Sequence, residues 1–391
     1  MISPGLPSLW LSRRAAPETD EEVDLAIVGG GIVGLSTAYW LGKAGKRAVL
    51  LEAGGLAGRA SGRNAGFLLT GSAEPYTALA ASAGERAARR FWEVSSENRE
   101  LLRTEVLDPG RVDCEFLPEG SWVAALSDTG QEEVLQESAR QLAALGFNLE
   151  WREAAEVRRV SGSAALGGAL YQPRDGGLDP VRLCRGIGRL ARGMGVEIRT
   201  GFSVRAIEPA GARVRLVSDS GSLVARQAVL AVNAYAASLV PALATEVRPV
   251  RGQMLATDPG PRDLPGVWYI NDGYEYVRQV SDGTVALGGC RWAAREFEVG
   301  TQETPTGTVQ GALERFLAEF FPRFAERPIR HRWAGIMAFT ADGLPRIGAL
   351  PEIPAALYAV GFNGHGMSLG FATGRYLARR LSGEDLPPLF P

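Results

Sequence analysis

Apolar positions in this chain recur in two rhythms: short unbroken runs, and spacings of three to four. Leu25–Val28 and the RAVLL run over Arg47–Leu51 are unbroken, which predicts strands buried on both faces. Between them, Ile32 to Leu41 carries the apolar face of a helix. Leu79, Ala83, Ala87, Phe91 and Val94 follow at helical spacing, so Thr77–Val106 is expected to form one long helix that stops near Asp108-Pro109-Gly110. Cys114–Leu117 and Ser121–Leu126 predict two strands about a Pro-Glu-Gly turn, and Gln131–Leu145 predicts a helix ended by Gly146. Asp179 before Pro180 is a cap-and-first-turn signal for a helix running to about Arg192. Val196–Pro209 reads as strand, bend, strand, and Ala228–Val232 as a buried strand ending on Asn233. Gly266–Gly289 predicts three strands joined at Asp272-Gly273 and Asp282-Gly283. Gly311–Phe320 is a short helix stopped by Pro322, and Ala356–Gly383 closes with a strand, a glycine-rich loop and a helix.

The first strand–helix junction carries chemistry. Gly29, Gly31 and Gly34 stand in GxGxxG spacing between strand and helix, and Glu52 ends the next strand. Each part has its own reason. Gly29 makes the tight turn, Gly31 lets a pyrophosphate approach the backbone, and Gly34 lets helix and strand pack closely. The helix N-terminus offers N–H groups and a positive dipole end to phosphate. A carboxylate at Glu52 suits two ribose hydroxyls and disfavours a 2′-phosphate. Ala53–Phe67 (AGGLAGRASGRNAGF) then runs longer and smaller than a short NAD-type unit needs. Such a loop can lie against a flat ring system with its N–H groups turned inward.

With these motifs, the chain resembles the D-amino-acid-oxidase-like flavoproteins, a family that includes glycine oxidase, sarcosine oxidase and γ-glutamylputrescine oxidoreductase. ASGRNAG resembles the family's flavin-contacting loop, closest to the γ-glutamylputrescine branch, and SLWLSRRA (Ser8–Ala15) resembles that branch's lead-in. The resemblance implies an α/β protein. A Rossmann-type, glutathione-reductase-like FAD-binding domain (23–72, 151–246 and 335–391) is interleaved with an α+β antiparallel-sheet substrate domain (73–150 and 247–334), after an N-terminal arm (1–22). It implies non-covalent FAD held by Gly29, Gly31, Ile32, Val33, Gly34, Glu52 and Ala53. The small-residue loop adds Ser61, Gly62, Arg63, Asn64, Ala65 and Gly66, and the adenine-pairing position is Val204. Asn233, Gly335, Arg346, Asn363, Gly364, His365, Gly366 and Met367 complete the set. GFNGHGMSLG (Gly361–Gly370) resembles the loop that faces the flavin pyrimidine edge, where a helix N-terminus stabilises negative charge.

Composition narrows the partners. With 42 basic and 44 acidic residues the net charge is −2, which gives no push toward nucleic acid or an anionic surface. Three dispersed cysteines offer neither a CxxC nor a disulfide framework, which suits a reducing compartment. Two histidines without HxxxH spacing argue against a metal site. No signal-peptide core and no 18-residue apolar span is present, so a cytoplasmic protein without an integral membrane segment is expected.

The implied activity is oxidation of a C–N bond in a small-molecule amine or amino acid, with hydride going to FAD and the imine hydrolysing afterwards. Oxygen, a quinone or a carrier protein would take the electrons; a non-catalytic FAD-binding protein is the alternative of another class. Candidate catalytic residues are His365, Tyr276 and Arg278. Trp268, Tyr269, Tyr274 and Tyr276 offer a pocket face, and Arg278 or Arg251 a partner for an acid group, each against a plain role in the core or on the surface.

Overall fold

The computed structural model describes residues 21–391. The expected N-terminal arm, with Ser8–Ala15, lies outside the described residues, apart from Glu21 and Glu22, which open the first strand.

The chain begins with strand β1 (Glu21–Val28), helix α1 (Ile32–Lys43) and strand β2 (Val49–Glu52), then a short β3 (Phe67–Leu68). Helices α2 (Tyr76–Ala83) and α3 (Glu85–Leu102) follow. Next come β4 (Ser121–Leu126), α4 (Gln131–Ala144), β5 (Glu150–Arg152), α5 (Ala154–Ser161), β6 (Leu166–Gln172) and β7 (Gly176–Gly177). Helix α6 (Pro180–Gly193) leads to β8 (Glu197–Thr200), β9 (Val204–Ala210), β10 (Arg213–Ser218) and β11 (Gly221–Leu230). The chain then makes β12 (Arg248–Thr257), β13 (Val267–Ile270), β14 (Glu275–Gln279), β15 (Val285–Gly289), α7 (Gly307–Phe320) and β16 (Ile329–Phe339). It closes with β17 (Arg346–Leu350), β18 (Ile353–Val360) and α8 (Gly366–Leu381).

Two eight-stranded sheets result. The first has the order β17-β18-β11-β1-β2-β8, with β10 and β9 attached through β11. Its centre is parallel, and Leu25–Val28 is buried on both faces, as an unbroken apolar run requires. The register aligns Val28 with Leu51 and with Leu230. Gly29, Glu52 and Ala231 therefore leave the sheet together at its carboxyl edge, where ligands of open α/β sheets bind. The second sheet, β16-β12-β15-β14-β13-β4-β6-β5, is antiparallel except for the β13–β4 pair. Its far face buries Trp122, Trp268, Leu255 and Leu287 against Leu313, Phe316 and Leu317 of α7. The long pair β12–β16 sets Gly252 opposite Gly335 and carries the chain back toward the first sheet.

Several expectations are altered. The long helix is two, broken at Gly84, whose φ of +90° only glycine adopts comfortably. Cys114–Leu117 is no strand; only Leu117 bridges, to Gly177. β5 and β6 pair in the second sheet, so the return to the first comes near β7 rather than at 151. β16 likewise remains in the second sheet through Phe339, past the expected crossing at 335. Helix α3 packs with α8: Asn98 Nδ2 donates to the Met367 carbonyl (3.0 Å), and its Oδ1 accepts from the N–H groups of Phe371 (2.7 Å) and Ala372 (3.0 Å). Periodicity finds the buried face of a helix but not which layer receives it.

Candidate functional site

A cavity of about 830 Å³ runs from the carboxyl edge of the first sheet to the near face of the second. At its sheet end the glycine spacing is enforced by contact. A Cβ on Gly34 would stand 1.9 Å from the Gly29 carbonyl oxygen, and one on Gly29, at φ +110°, would stand 2.6 Å from that of Ala231. Gly34 thus packs helix on strand, while Gly29, Gly31, Ile32 and Val33 form the wall. Glu52 faces the same space, its carboxylate held by the N–H groups of Gly30 (2.6 Å) and Gly54 (2.7 Å). Each oxygen keeps acceptor capacity for a hydroxyl. Ala53 and Val204 line this end too.

The small-residue loop folds over the N-terminus of α1. Ser61 Oγ accepts from the Ile32 N–H at 2.9 Å. Asn64 holds the loop's shape by donating to the carbonyls of Ala60 and Ser61 and accepting from the Gly66 N–H (2.7 Å). Ser61, Asn64 and Ala65 are wall residues; Gly62 and Gly66 lie behind, packed against the carbonyls of Ala57 and Leu178. Arg63 borders the cavity, but its guanidinium is taken by the Ala334 carbonyl (2.9 Å) and Glu303 (3.2 Å).

Opposite this loop stand Gly335 and the turn before α8. Asn363, at φ +49°, donates to the Gly361 carbonyl (2.6 Å) and accepts from the Thr340 N–H (2.9 Å). Asn233 accepts from the Gly361 N–H (3.0 Å), which fixes the turn to the end of β11. Gly364, Gly366 and Met367 then open the helix N-terminus onto the cavity. His365 is buried, and its Nε2 accepts from the Ala73 N–H (2.9 Å). Burial pulls its pKa down to about 4, so the ring is neutral and serves as a backbone acceptor. Its Nδ1, which then carries the proton, has no partner among the described residues.

The near face of the second sheet forms the remaining wall. Phe67, Tyr269 and Tyr276 make an aromatic box, with Phe67 5.3 Å from Tyr269 and 6.2 Å from Tyr276, edge to face. Burial pushes both phenols up, so each keeps its proton. Tyr274 and Met337 also line the space. Trp268 does not: it is stacked on Trp122 at 4.7 Å on the other face.

The expected arginines are placed elsewhere. Arg278 is buried behind the small-residue loop and donates to the Gly66 carbonyl (3.2 Å); it does not line the cavity. Arg251 is locked to Glu298 by two bonds of 2.6 and 2.8 Å. Arg346 pairs with Asp342 (3.0 Å) and Glu246 (3.3 Å), outside the wall. Each was drawn from a neighbouring motif; Arg251 and Arg346 are taken up by carboxylates that spacing does not reveal, and Arg278 by the Gly66 carbonyl, with its Nε left without a partner among the described residues. The wall contains others instead: Glu74, Asp272, Arg291 and Arg295. Arg291 follows the Gly288-Gly289 pair that ends β15, a signal present in the sequence but read only as a strand end.

A flavin dinucleotide fits these residues. The crowded glycines form a cradle that a Cβ would fill, Glu52 is fixed with spare acceptors, and two helix N-termini meet one cavity. Among the described residues, no group of three or more His, Cys, Asp or Glu could hold a metal ion, and no helix is long and apolar enough to cross a membrane.

Comparison with known proteins agrees. The family model described as FAD dependent oxidoreductase (DAO) matches residues 24–380. Glycine oxidase of Bacillus licheniformis is 29% identical over 367 residues, covering 93% of this chain and 94% of that protein. γ-Glutamylputrescine oxidoreductase of Escherichia coli K12 is 29% identical over 375 residues, covering 92% and 84%. The crystal structure of glycine oxidase from Geobacillus kaustophilus superposes with a TM-score of 0.80 at 22% identity, covering 94% and 96% of the two chains. The chain belongs to the DAO family of FAD-dependent oxidoreductases, enzymes that act on amines or amino acids.

Proposed function

We propose that the protein oxidises an amine whose reacting carbon carries no carboxylate. One observation carries this reading. Beside Gly364 of the Gly361–Gly366 turn stands the thioether of Met337, and the adjoining box of Phe67, Tyr269 and Tyr276 holds no cation. A carboxylate beside the reacting carbon would be desolvated there without a partner, at a cost of several kcal/mol. An amine with an apolar neighbour meets no such penalty.

Bound FAD supplies the hydride acceptor for the C–H bond beside the amine nitrogen, and the imine hydrolyses in water. Gly29–Val33, Glu52 and Val204 would hold its nucleotide half, and the loops Ser61–Gly66 and Asn363–Met367 its ring. The reading has the cofactor held without a covalent bond: among the described residues no cysteine lines the cavity, and His365 Nε2 is engaged with Ala73. The chain's task is placement. His365 stays neutral and both tyrosines stay protonated, so no residue of the box acts as a base. The acceptor is oxygen, a quinone or a carrier protein, and recolouring of the reduced enzyme in air tells the first from the others.

The test compares kcat/KM for glycine, sarcosine and proline with that for simple alkylamines of matched size. The alkylamines are expected to lead by about tenfold or more, the loss that an unpaired carboxylate implies. Amino acids leading by tenfold would overturn the reading.

A further inference from the structure

We propose that Glu303 is a positioning residue for the cofactor: it clasps the two lips of the crevice at the end of β1, and bound FAD leaves only when the clasp opens. The inference goes beyond the amine-oxidising reading, because it concerns the dinucleotide and not the substrate. One lip is the loop after β2. Its Ala57 N–H donates to the Gly30 carbonyl (2.9 Å), so the loop lies on the glycine turn, and it carries Arg59 and Arg63. The other lip is the turn Asn233–Tyr235 after β11, where the Ala231 N–H donates to the Val28 carbonyl (2.8 Å). β1 lies between β2 and β11, so the lips flank its carboxyl end. The Arg59 guanidinium spans the gap and lies 5.4 Å from the centroid of the Tyr235 ring. Arg59, Arg63 and Tyr235 border the cavity, as Gly31 and Glu52 do.

Glu303 closes both lips with one carboxylate. Its Oε2 accepts from Arg59 (2.5 Å) and pairs with Arg63 (3.2 Å), and its Oε1 accepts from the Tyr235 hydroxyl (2.8 Å). The side chain is mostly buried, and burial together with the Glu303 bond pushes the Tyr235 phenol up to about 12, so it stays a donor. Glu303 does not line the cavity and acts through these three residues. It belongs to a strap between β15 and α7 that is fastened to β12 at both ends. The Gly300 N–H donates to the Pro249 carbonyl (3.0 Å), and the Thr306 N–H to Gln253 Oε1 (2.9 Å). Among the described residues, Glu303 alone of 301–305 makes a hydrogen bond or ion pair. A strap held at its ends and latched by one side chain can lift without unpairing either sheet. Glu303 also neutralises two arginines that a pyrophosphate could attract. If that were its role, removing it would tighten FAD binding, so the two roles predict opposite signs.

The holoenzyme is incubated with excess isotopically labelled FAD, and replacement of the bound cofactor is followed by mass spectrometry. Glu303→Ala should exchange about 10- to 100-fold faster than the wild type, the factor expected from losing charge-assisted bonds. Glu303→Gln keeps an acceptor for Tyr235 but not the charge, and its rate should fall between the two. Arg59→Gln should also speed exchange, and joining it to Glu303→Gln should add little, because both remove the same contact. A merely structural role gives neither this rank order nor this coupling. Exchange in Glu303→Ala within about twofold of the wild type overturns the clasp. Slower exchange overturns it too, and assigns Glu303 to keeping the arginines from the pyrophosphate. Where Glu303→Ala yields no holoenzyme, Tyr235→Phe decides: severalfold faster exchange supports the clasp, and an unchanged rate overturns it. Exchange is read without turnover, so its outcome is separate from whether an amine is oxidised.

Discussion

His365 illustrates how one contact sets a residue's role. A histidine in a glycine-rich loop beside a cofactor site invites an acid–base assignment. Its Nε2 instead accepts the Ala73 N–H, and Phe91 packs on it edge to face at 5.5 Å. The folded pKa of about 4 lies below the unfolded value of about 6.5, so the unfolded chain binds the extra proton first as pH falls. Stability from this residue is complete above about pH 6.5 and is lost as pH drops toward 4, by a total on the order of 3 kcal/mol. His365→Gln should therefore flatten the decline of the thermal midpoint between those pH values. The kcat/KM profile should keep its shape in that variant; loss of a limb would restore a catalytic role.

At the scale of elements, the βαβ unit was legible because its constraint falls on backbone. Glycine at 29 and 34 records a close approach in a single residue type, and Glu52 records the end of a strand. Gly34→Ala forces a Cβ into 1.9 Å of the Gly29 carbonyl, a clash that α1 relieves only by leaving β1. The expected outcome is a protein that loses most of its FAD during purification while far-UV circular dichroism remains near native. Full flavin content would show that the junction tolerates the shift. Other elements were less readable. Gly84 breaks a helix whose apolar spacing continues across it, and the β5–β6 strands carry no mark of the sheet they join. Arg278 and Arg346 were misplaced because their acceptors, the Gly66 carbonyl and Asp342 with Glu246, are set by packing. Arg291 was overlooked since nothing local distinguishes an arginine that faces a cavity from one that faces water.

Across the whole molecule, a buried polar knot ties the second sheet to helix α3 and to the segment after β3. Asp175 accepts from Arg99 (2.8 Å), the Thr70 N–H (3.1 Å) and the Ser121 hydroxyl (2.7 Å), uniting α3, the segment after β3 and strand β4. Asp175 is fully buried and Arg99 nearly so, so removing one partner strands a charge. Arg99→Met should cost about 3–5 kcal/mol, measured by urea unfolding. Adding Asp175→Asn should cost less than the sum of the single changes, because the stranded carboxylate is gone; strict additivity would mean that the pair is not coupled. The chemistry proposed for the cavity is open to one direct observation. The FAD holoenzyme is mixed under argon with alkylamines and ω-aminocarboxylates, and the visible flavin absorbance is followed. The account predicts bleaching by at least one of these amines, with the aldehyde product appearing in equal amount. A flavin that stays yellow through the whole panel, with the amines recovered unchanged, would contradict it.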